Sequence, residues 1–208
     1  MRILFQGDSI TDCYRVKEGD ALDLRMGMGY AMLCQAELMC QEPNKYEVMN
    51  RGISGNRIND LYARIKKDII NLKPDVMSIL IGVNDVWHEF GEQNGVDADK
   101  YFKIYSMLIE EVKEALPDIK IMILEPFCLK ERGNDAYWDE FKVEVAKRGE
   151  MAKKVAEKFN LPFIPLLVKF DEAAKLAPNA YWLVDGVHPT AAGHFLIKNE
   201  WIKAFKSL

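Results

Sequence analysis

The chain has 208 residues, of which 49% are hydrophobic and 29% are charged, and its formal net charge is −4. This length and balance predict one soluble globular domain, residues 1–208, that buries a core without disulfide or metal support. The slight acidity and the lack of a dense basic run argue against nucleic acid or an anionic membrane as the main partner.

The cysteines and the first residues bear on the cellular compartment. Cys13, Cys34, Cys40 and Cys128 form no CxxC pair, which is typical of free thiols in a reducing compartment. No signal-peptide pattern precedes the first strand, and no apolar run reaches about 18 residues. We therefore expect a cytoplasmic protein that does not span a membrane.

Predicted strands and helices alternate along the chain. Apolar runs predict strands over 2–5, 46–49, 76–81, 119–124 and within 163–168. Helical spacing of apolar residues predicts helices over 30–41, 58–72, 101–116, 138–159 and 171–176, and a last helix with Phe195, Ile202 and Phe205 facing inward. Residues 12–29 and 82–99 are expected to be loops. Such alternation indicates a parallel sheet with helices on both faces, and Pro165 places the fifth strand at an edge.

Ser9 stands where the first predicted strand stops. Gly7 permits a turn, so Ser9 leaves the sheet at its carboxyl edge, where ligands bind in open α/β sheets. A hydroxyl there, beside the amides that open the next segment, has the chemistry to attack an ester. The alternative is a serine that only caps a helix.

Asp185 and His188 lie three residues apart in a turn-like segment. At this spacing the carboxylate can hold Nδ1–H while Nε2 points outward to a serine. The alternative is an ordinary surface turn, since Asp-Gly is a common turn dipeptide. Asn84 and Gly55 follow other strands and are candidates to donate to an oxyanion, or else to satisfy local backbone groups and a left-handed turn.

Other candidate sites are weaker. Trp87 and Trp182 flank these segments and either stack on a sugar or pack in the core, and Arg57 either binds a sugar hydroxyl or pairs with a carboxylate. The three histidines form no metal-ligand pattern, and residues 27–29 lack the third glycine of a dinucleotide fingerprint. We therefore expect no metal and no cofactor.

Four blocks together carry a resemblance to a known family: Gly7-Asp8-Ser9-Ile10, Gly52-Ile53-Ser54-Gly55, Gly82-Val83-Asn84-Asp85 and Asp185-Gly186-Val187-His188. They resemble the blocks of the SGNH hydrolases, also called the GDSL esterases, and the resemblance extends over almost the whole chain. It implies a flavodoxin-like three-layer α/β/α sandwich with a five-stranded parallel sheet. Ile10 replaces the leucine of the family pattern, which changes no reacting group.

The resemblance also implies roles for individual residues. It makes Ser9 the nucleophile, His188 the base and Asp185 the residue that orients the base. The Ser9 and Gly55 amides and the Asn84 side chain would form the oxyanion hole.

Longer segments around these blocks are most similar to intracellular bacterial acetylxylan esterases. That similarity implies a serine esterase that removes acetyl groups from xylo-oligosaccharides or similar carbohydrates through an acyl-serine intermediate, and a tendency to form homo-oligomers. The alternatives are a lysophospholipase or thioesterase of the same family and, outside enzymes, a flavodoxin-like phosphate-binding module.

Overall fold

The computed structural model describes residues 1–17 and 24–208. At its centre the described residues form one parallel sheet with the strand order β2-β1-β3-β4-β5. The strands are β1 (Arg2–Gly7), β2 (Glu47–Asn50), β3 (Val76–Leu80), β4 (Lys120–Leu124) and β5 (Phe163–Ile164). This confirms the predicted five-stranded parallel sheet, with β5 at an edge.

Helices connect and cover these strands. Those within the described ranges are α1 (Ser9–Asp12), α2 (Tyr30–Gln41), α3 (Ile58–Ala63), α4 (Ile65–Asp68), α5 (Val83–Glu92), α6 (Ala98–Ala115), α7 (Trp138–Phe159), α8 (Leu167–Ala173), α9 (Asn179–Trp182) and α10 (Ala191–Phe205), with short 3₁₀ turns at Ile70–Leu72 and Asp135–Tyr137. None of the described helices is both long and apolar enough to cross a membrane.

Each face of the sheet carries its own hydrophobic cluster because successive side chains of a strand point to opposite faces. Ile3 and Phe5 of β1 pack in one cluster with apolar residues of α2 and α10, where Phe5 stacks on Trp201. Leu4 packs in the other cluster with residues of α3, α6 and the second half of α7. Burial on both faces explains why β3 and β4 consist almost entirely of apolar residues.

The structure differs from the prediction in several elements. Residues 83–92 form helix α5 and not a loop, and the predicted helix over 58–72 is divided into α3, α4 and a 3₁₀ turn. The fifth strand is only two residues long, and α8 begins directly after it at Leu167. Phe195 is exposed on α10, where Trp201 is fully buried instead. In the predicted loop over 12–29, residue 12 closes α1, and residues 18–23 lie outside the described part of the chain.

Candidate active site

The sharp end of β1 brings Ser9 to the carboxyl edge of the sheet. Gly7 is required at this turn because a Cβ there would lie 2.3 Å from both the Leu80 carbonyl oxygen and Thr11 Oγ1. Asp8, and not Ser9, caps the short helix that follows, since its Oδ1 accepts from the Ile10 amide at 3.0 Å. The Ser9 hydroxyl is therefore not used as the helix cap.

A chain of hydrogen bonds joins Ser9 to the turn before α10. Ser9 Oγ lies 2.8 Å from His188 Nε2, and His188 Nδ1 lies 2.7 Å from Asp185 Oδ2. Asp185 Oδ1 also accepts from the backbone amides of Val187 and His188 at 3.0 and 2.8 Å. The structure thus brings together three residues that the sequence separates by as many as 179 positions.

The ionisation of this chain suits proton transfer from serine. Burial alone would raise the pKa of Asp185, but the hydrogen bonds from the His188 ring and from two backbone amides lower it to about 2. The hydrogen bond to Asp185 raises the pKa of His188 above its ordinary value, against the effect of burial. An ionised Asp185 at neutral pH therefore strengthens His188 as a base.

A segment that follows β4 supports the Asp185–His188 turn from below. The amide of Leu129 donates to the Gly186 carbonyl at 2.9 Å. The turn is also closed by its own backbone, because the Val184 amide donates to the His188 carbonyl beside an isolated antiparallel bridge between Leu183 and Pro189. Asn134, which is fully buried, donates from Nδ2 to the Leu129 carbonyl at 2.9 Å. Sequence reasoning missed Asn134, since a polar residue in a loop gives no sign that it is buried.

Gly55 and Asn84 are connected through Asn56, the residue that follows Gly55. Gly55 has a left-handed φ of +81°, and a Cβ there would meet no atom within 4 Å, so this side of the loop is open. Asn84 opens α5 and is buried, and its Nδ2 donates to the Asn56 carbonyl at 3.2 Å. That bond leaves the second N–H of the amide available to another acceptor.

The loop that carries Gly55 is tied to α1. Asp12 Oδ2 accepts from both the amide and the hydroxyl of Ser54, at 3.0 and 3.1 Å. Arg15 Nε donates to the Gly52 carbonyl at 2.8 Å. These bonds fix the position of the 52–55 loop relative to Ser9, although neither Asp12 nor Arg15 was among the predicted site residues.

A cleft of 770 Å³ opens over the Ser9 hydroxyl. Its described lining residues are Ser9, Ile10, Asp12, Cys13, Tyr14, Arg15, Lys17, Ser54, Val184, Asp185, His188, Pro189 and His194. Tyr14 stands at this cleft with 84% of its surface exposed and a left-handed φ of 61°. Sequence reasoning missed it because the segment was treated only as a long loop.

The three predicted substrate contacts do not belong to this lining. Trp87 packs against Phe141 and lies with its ring centroid 5.8 Å from that of His188, so it supports the base from the core side. Trp182 is partly buried, and its Nε1 is enclosed. Arg57 is held by Asp60, at 2.9 Å, and by the Asn94 carbonyl. The structure therefore favours the packing and ion-pair alternatives, and a contact of these residues with substrate stays a prediction.

No group of three or more potential metal ligands occurs in the part of the chain that the structure describes. His194 instead accepts the Tyr30 amide on Nδ1 at 3.2 Å and lies 3.3 Å from Cys13 Sγ through Nε2. Burial lowers the pKa of His194 to about 4, so it is neutral at physiological pH and serves packing beside the cleft.

Comparison with known proteins agrees with this geometry. An acetylxylan esterase from Geobacillus stearothermophilus is 35% identical, and the match covers 97% of this chain and 92% of the relative. The crystal structure of Axe2, an acetylxylan esterase from the same organism, superposes with a TM-score of 0.86 at 33% identity and covers 98% of this chain and 93% of its own. LAE5, an alpha/beta hydrolase from the metagenome of Lake Arreo, superposes with a TM-score of 0.88 at 29% identity, covering 99% and 94%.

The family model described as GDSL-like Lipase/Acylhydrolase matches residues 5–196, which include the end of the first strand, both loops of the site and the Asp185–His188 turn. The comparisons support a hydrolase over the alternative of a flavodoxin-like binding module. By its sequence and by its fold, the chain belongs to the GDSL-like lipase/acylhydrolase family and is a carboxylic ester hydrolase.

Proposed function

We propose that this protein is a serine esterase that removes acetyl groups from carbohydrates, xylo-oligosaccharides or similar molecules, through an acyl-serine intermediate. The observation that carries the proposal is the continuous hydrogen-bonded chain from Ser9 Oγ through His188 to Asp185, with contacts of 2.8 and 2.7 Å. The acetyl-carbohydrate substrate is supported by the acetylxylan esterases among the relatives.

In the first half of the reaction, His188 Nε2 takes the proton of Ser9 as Oγ attacks the ester carbonyl. The negative charge develops on the carbonyl oxygen, and the proposal assigns its stabilisation to three donors: the amides of Ser9 and Gly55 and the second N–H of the Asn84 amide, which its bond to Asn56 leaves available. The tetrahedral intermediate then collapses. The ester bond breaks, and His188 gives its proton to the departing sugar oxygen, which leaves an acetyl group on Ser9.

In the second half, water replaces the sugar. His188 takes a proton from water, the hydroxide attacks the acetyl carbonyl, and the same donors receive the charge. Collapse of this intermediate releases acetate and returns the proton to Ser9. Asp185 stays ionised throughout because its pKa is about 2. The exposed ring of Tyr14 at the mouth of the cleft offers an apolar face against which a sugar ring can lie.

The proposal is tested with Ser9→Ala and acetylated xylo-oligosaccharides. Since no other hydroxyl is hydrogen-bonded to His188 among the described residues, we expect Ser9→Ala to fold normally and to lose nearly all deacetylation. Wild-type protein quenched during turnover should carry one acetyl group on the peptide that contains Ser9, detected by mass spectrometry. Retention of more than a few per cent of the rate in Ser9→Ala, or an acetyl group on another residue, would show that the nucleophile is misassigned.

A further inference from the structure

A largely buried arginine, Arg64, makes hydrogen bonds to segments of the site but has no role in the proposed mechanism. It lies between α3 and α4, and only 12% of its side chain is exposed. Its guanidinium donates to the Gly7 carbonyl at 3.3 Å, the Arg51 carbonyl at 2.8 Å, Asn56 Oδ1 at 2.8 Å and Asp68 Oδ2 at 3.2 Å. One side chain therefore connects the end of β1 with the loop that follows β2.

Two of the segments that Arg64 holds, the end of β1 and the loop after β2, lead to candidate donors to the oxyanion. Gly7 lies two residues before Ser9, and the same carbonyl also accepts the Ile53 amide at 3.1 Å. Asn56 directly follows Gly55. The carbonyl of Asn56 in turn accepts Asn84 Nδ2 at 3.2 Å, so the orientation of the Asn84 amide depends on the residue that Arg64 holds by its side chain.

The chemistry of the guanidinium explains why arginine stands here. The guanidinium is planar and rigid, and its three nitrogens donate to all four acceptors at once. The ammonium of lysine is a compact point charge without this fixed arrangement of N–H groups. Burial lowers the pKa of Arg64, against the nearby Asp68 carboxylate, which raises it. Enclosing the cation thus has a cost in solvation, and an apolar side chain of similar volume would fill the space without that cost.

We propose that Arg64 is a positioning residue for the oxyanion hole: it sets the distance between the strand end before Ser9 and the loop of Gly55, and through Asn56 it orients the Asn84 amide. The inference rests on the proposed function, because it concerns the same three donors. A group that acts in this way stabilises the transition state more than the bound substrate.

The test replaces Arg64 by methionine and by lysine and measures steady-state kinetics with para-nitrophenyl acetate. We expect Arg64→Met to lower kcat by roughly 10- to 100-fold with KM changed by less than about threefold, since the donors are displaced from the charge that develops only in the transition state. Arg64→Lys should recover little of the rate because it cannot reach the same four acceptors.

A double-mutant cycle with Asn84→Ala separates positioning from general structural damage. Asn84→Ala alone should lower kcat by roughly 10² to 10³. If Arg64 acts through the hole, adding Arg64→Met to Asn84→Ala should cost clearly less than it costs in the wild type. Should Arg64→Met fail to fold, Arg64→Lys takes its place in the cycle.

The control variant is Val112→Ala, a cavity-forming change at a fully buried position of α6, in the cluster on one face of the sheet. It should lower the thermal midpoint while leaving kcat within about twofold of wild type. Additive effects in the cycle, a change confined to KM, or an equal loss of kcat in Val112→Ala would overturn the inference while the proposed esterase stands. Absence of acetyl-ester turnover in the wild type would instead overturn both.

Discussion

At the scale of single residues, the charge on Asp185 controls how readily His188 accepts a proton. The pKa of His188 is raised by its hydrogen bond to Asp185, so the imidazole is neutral, and active as a base, only above a pKa that exceeds the ordinary value of about 6.5. The value of kcat/KM should therefore rise with pH along a limb centred above that value. Protonation of Asp185, with a pKa of about 2, contributes nothing to this limb.

Asp185→Asn tests this coupling. Without the carboxylate, the pKa of His188 should fall, so the ascending limb of kcat/KM should move to lower pH. The maximal rate should fall by roughly 10² to 10⁴, because a neutral amide neither stabilises the imidazolium nor favours the correct tautomer. Both effects are read from pH–rate profiles with an acetyl ester. Asp135→Asn, a change at an exposed carboxylate paired with Lys130, serves as the control and should leave the limb in place.

The residues that carry chemistry are easier to predict from sequence than those that bind substrate. Ser9, Asp185 and His188 were found because each stands in a short block whose residue types suit one reaction, and the structure places them in contact. The exposure of Tyr14 has no such signature, since it depends on two successive left-handed residues at the end of α1. Arg64 has no such signature either, because its acceptors are two backbone carbonyls and two side chains that no short sequence block brings together.

At the scale of elements, the spacing of apolar residues and the positions of helix-ending residues decided what could be predicted. Helices α2 and α7 have the bounds expected from their sequence, since α7 has a clear apolar repeat and Pro43 marks the end of α2. The polar residues of α5 favour a loop, yet Val83, Val86, Trp87 and Phe90 stand at helical spacing and pack in one cluster. That repeat is enough to predict the helix and to place Asn84 at its beginning.

The loops around the cleft also bear on the acyl group. The apolar side chains that line the cleft among the described residues are Ile10, Cys13, Tyr14, Val184 and Pro189, and they are mixed with charged side chains. A channel for a fatty chain would gain about 0.8 kcal/mol for each methylene it buries, so the catalytic efficiency of a lipid esterase should climb with chain length. Here no run of leucine, isoleucine or valine offers that gain.

We therefore expect para-nitrophenyl acetate to be hydrolysed best, the butyrate poorly and the octanoate barely. The measurement is kcat/KM across the series, with the Ser9→Ala variant as the blank for spontaneous hydrolysis. An efficiency that rises from acetate to octanoate would favour the lysophospholipase or thioesterase alternative, while the roles of Ser9 and His188 would be unaffected.

At the scale of the whole molecule, the sheet joins both hydrophobic clusters, so a single domain over residues 1–208 stays our prediction. Two buried carboxylates adjoin residues of the site: Asp8 directly precedes Ser9, and Asp85 directly follows Asn84. Asp8 is 1% exposed with Oδ2 unpaired, and Asp85 is fully buried with the Ile58 amide as its donor at 3.1 Å. Burial raises the pKa of each to about 7, and the nearby charge of Asp8 adds to the increase for Asp85.

The raised pKa of Asp85 makes stability depend on pH in a definite direction. An unfolded chain releases the proton of this carboxyl near pH 4, whereas the folded protein keeps it up to about pH 7, so the free energy of unfolding falls as pH rises through that window. Asp85→Asn removes the titration, and its amide oxygen can still accept the Ile58 N–H. Relative to wild type, the variant should therefore gain thermal stability between pH 5 and 8, by an amount on the order of a few kcal/mol at most. Val112→Ala does not titrate, so its difference from wild type should stay constant over the same range. Thermal unfolding at several pH values measures both differences, and a difference for Asp85→Asn that does not change with pH would contradict the raised pKa.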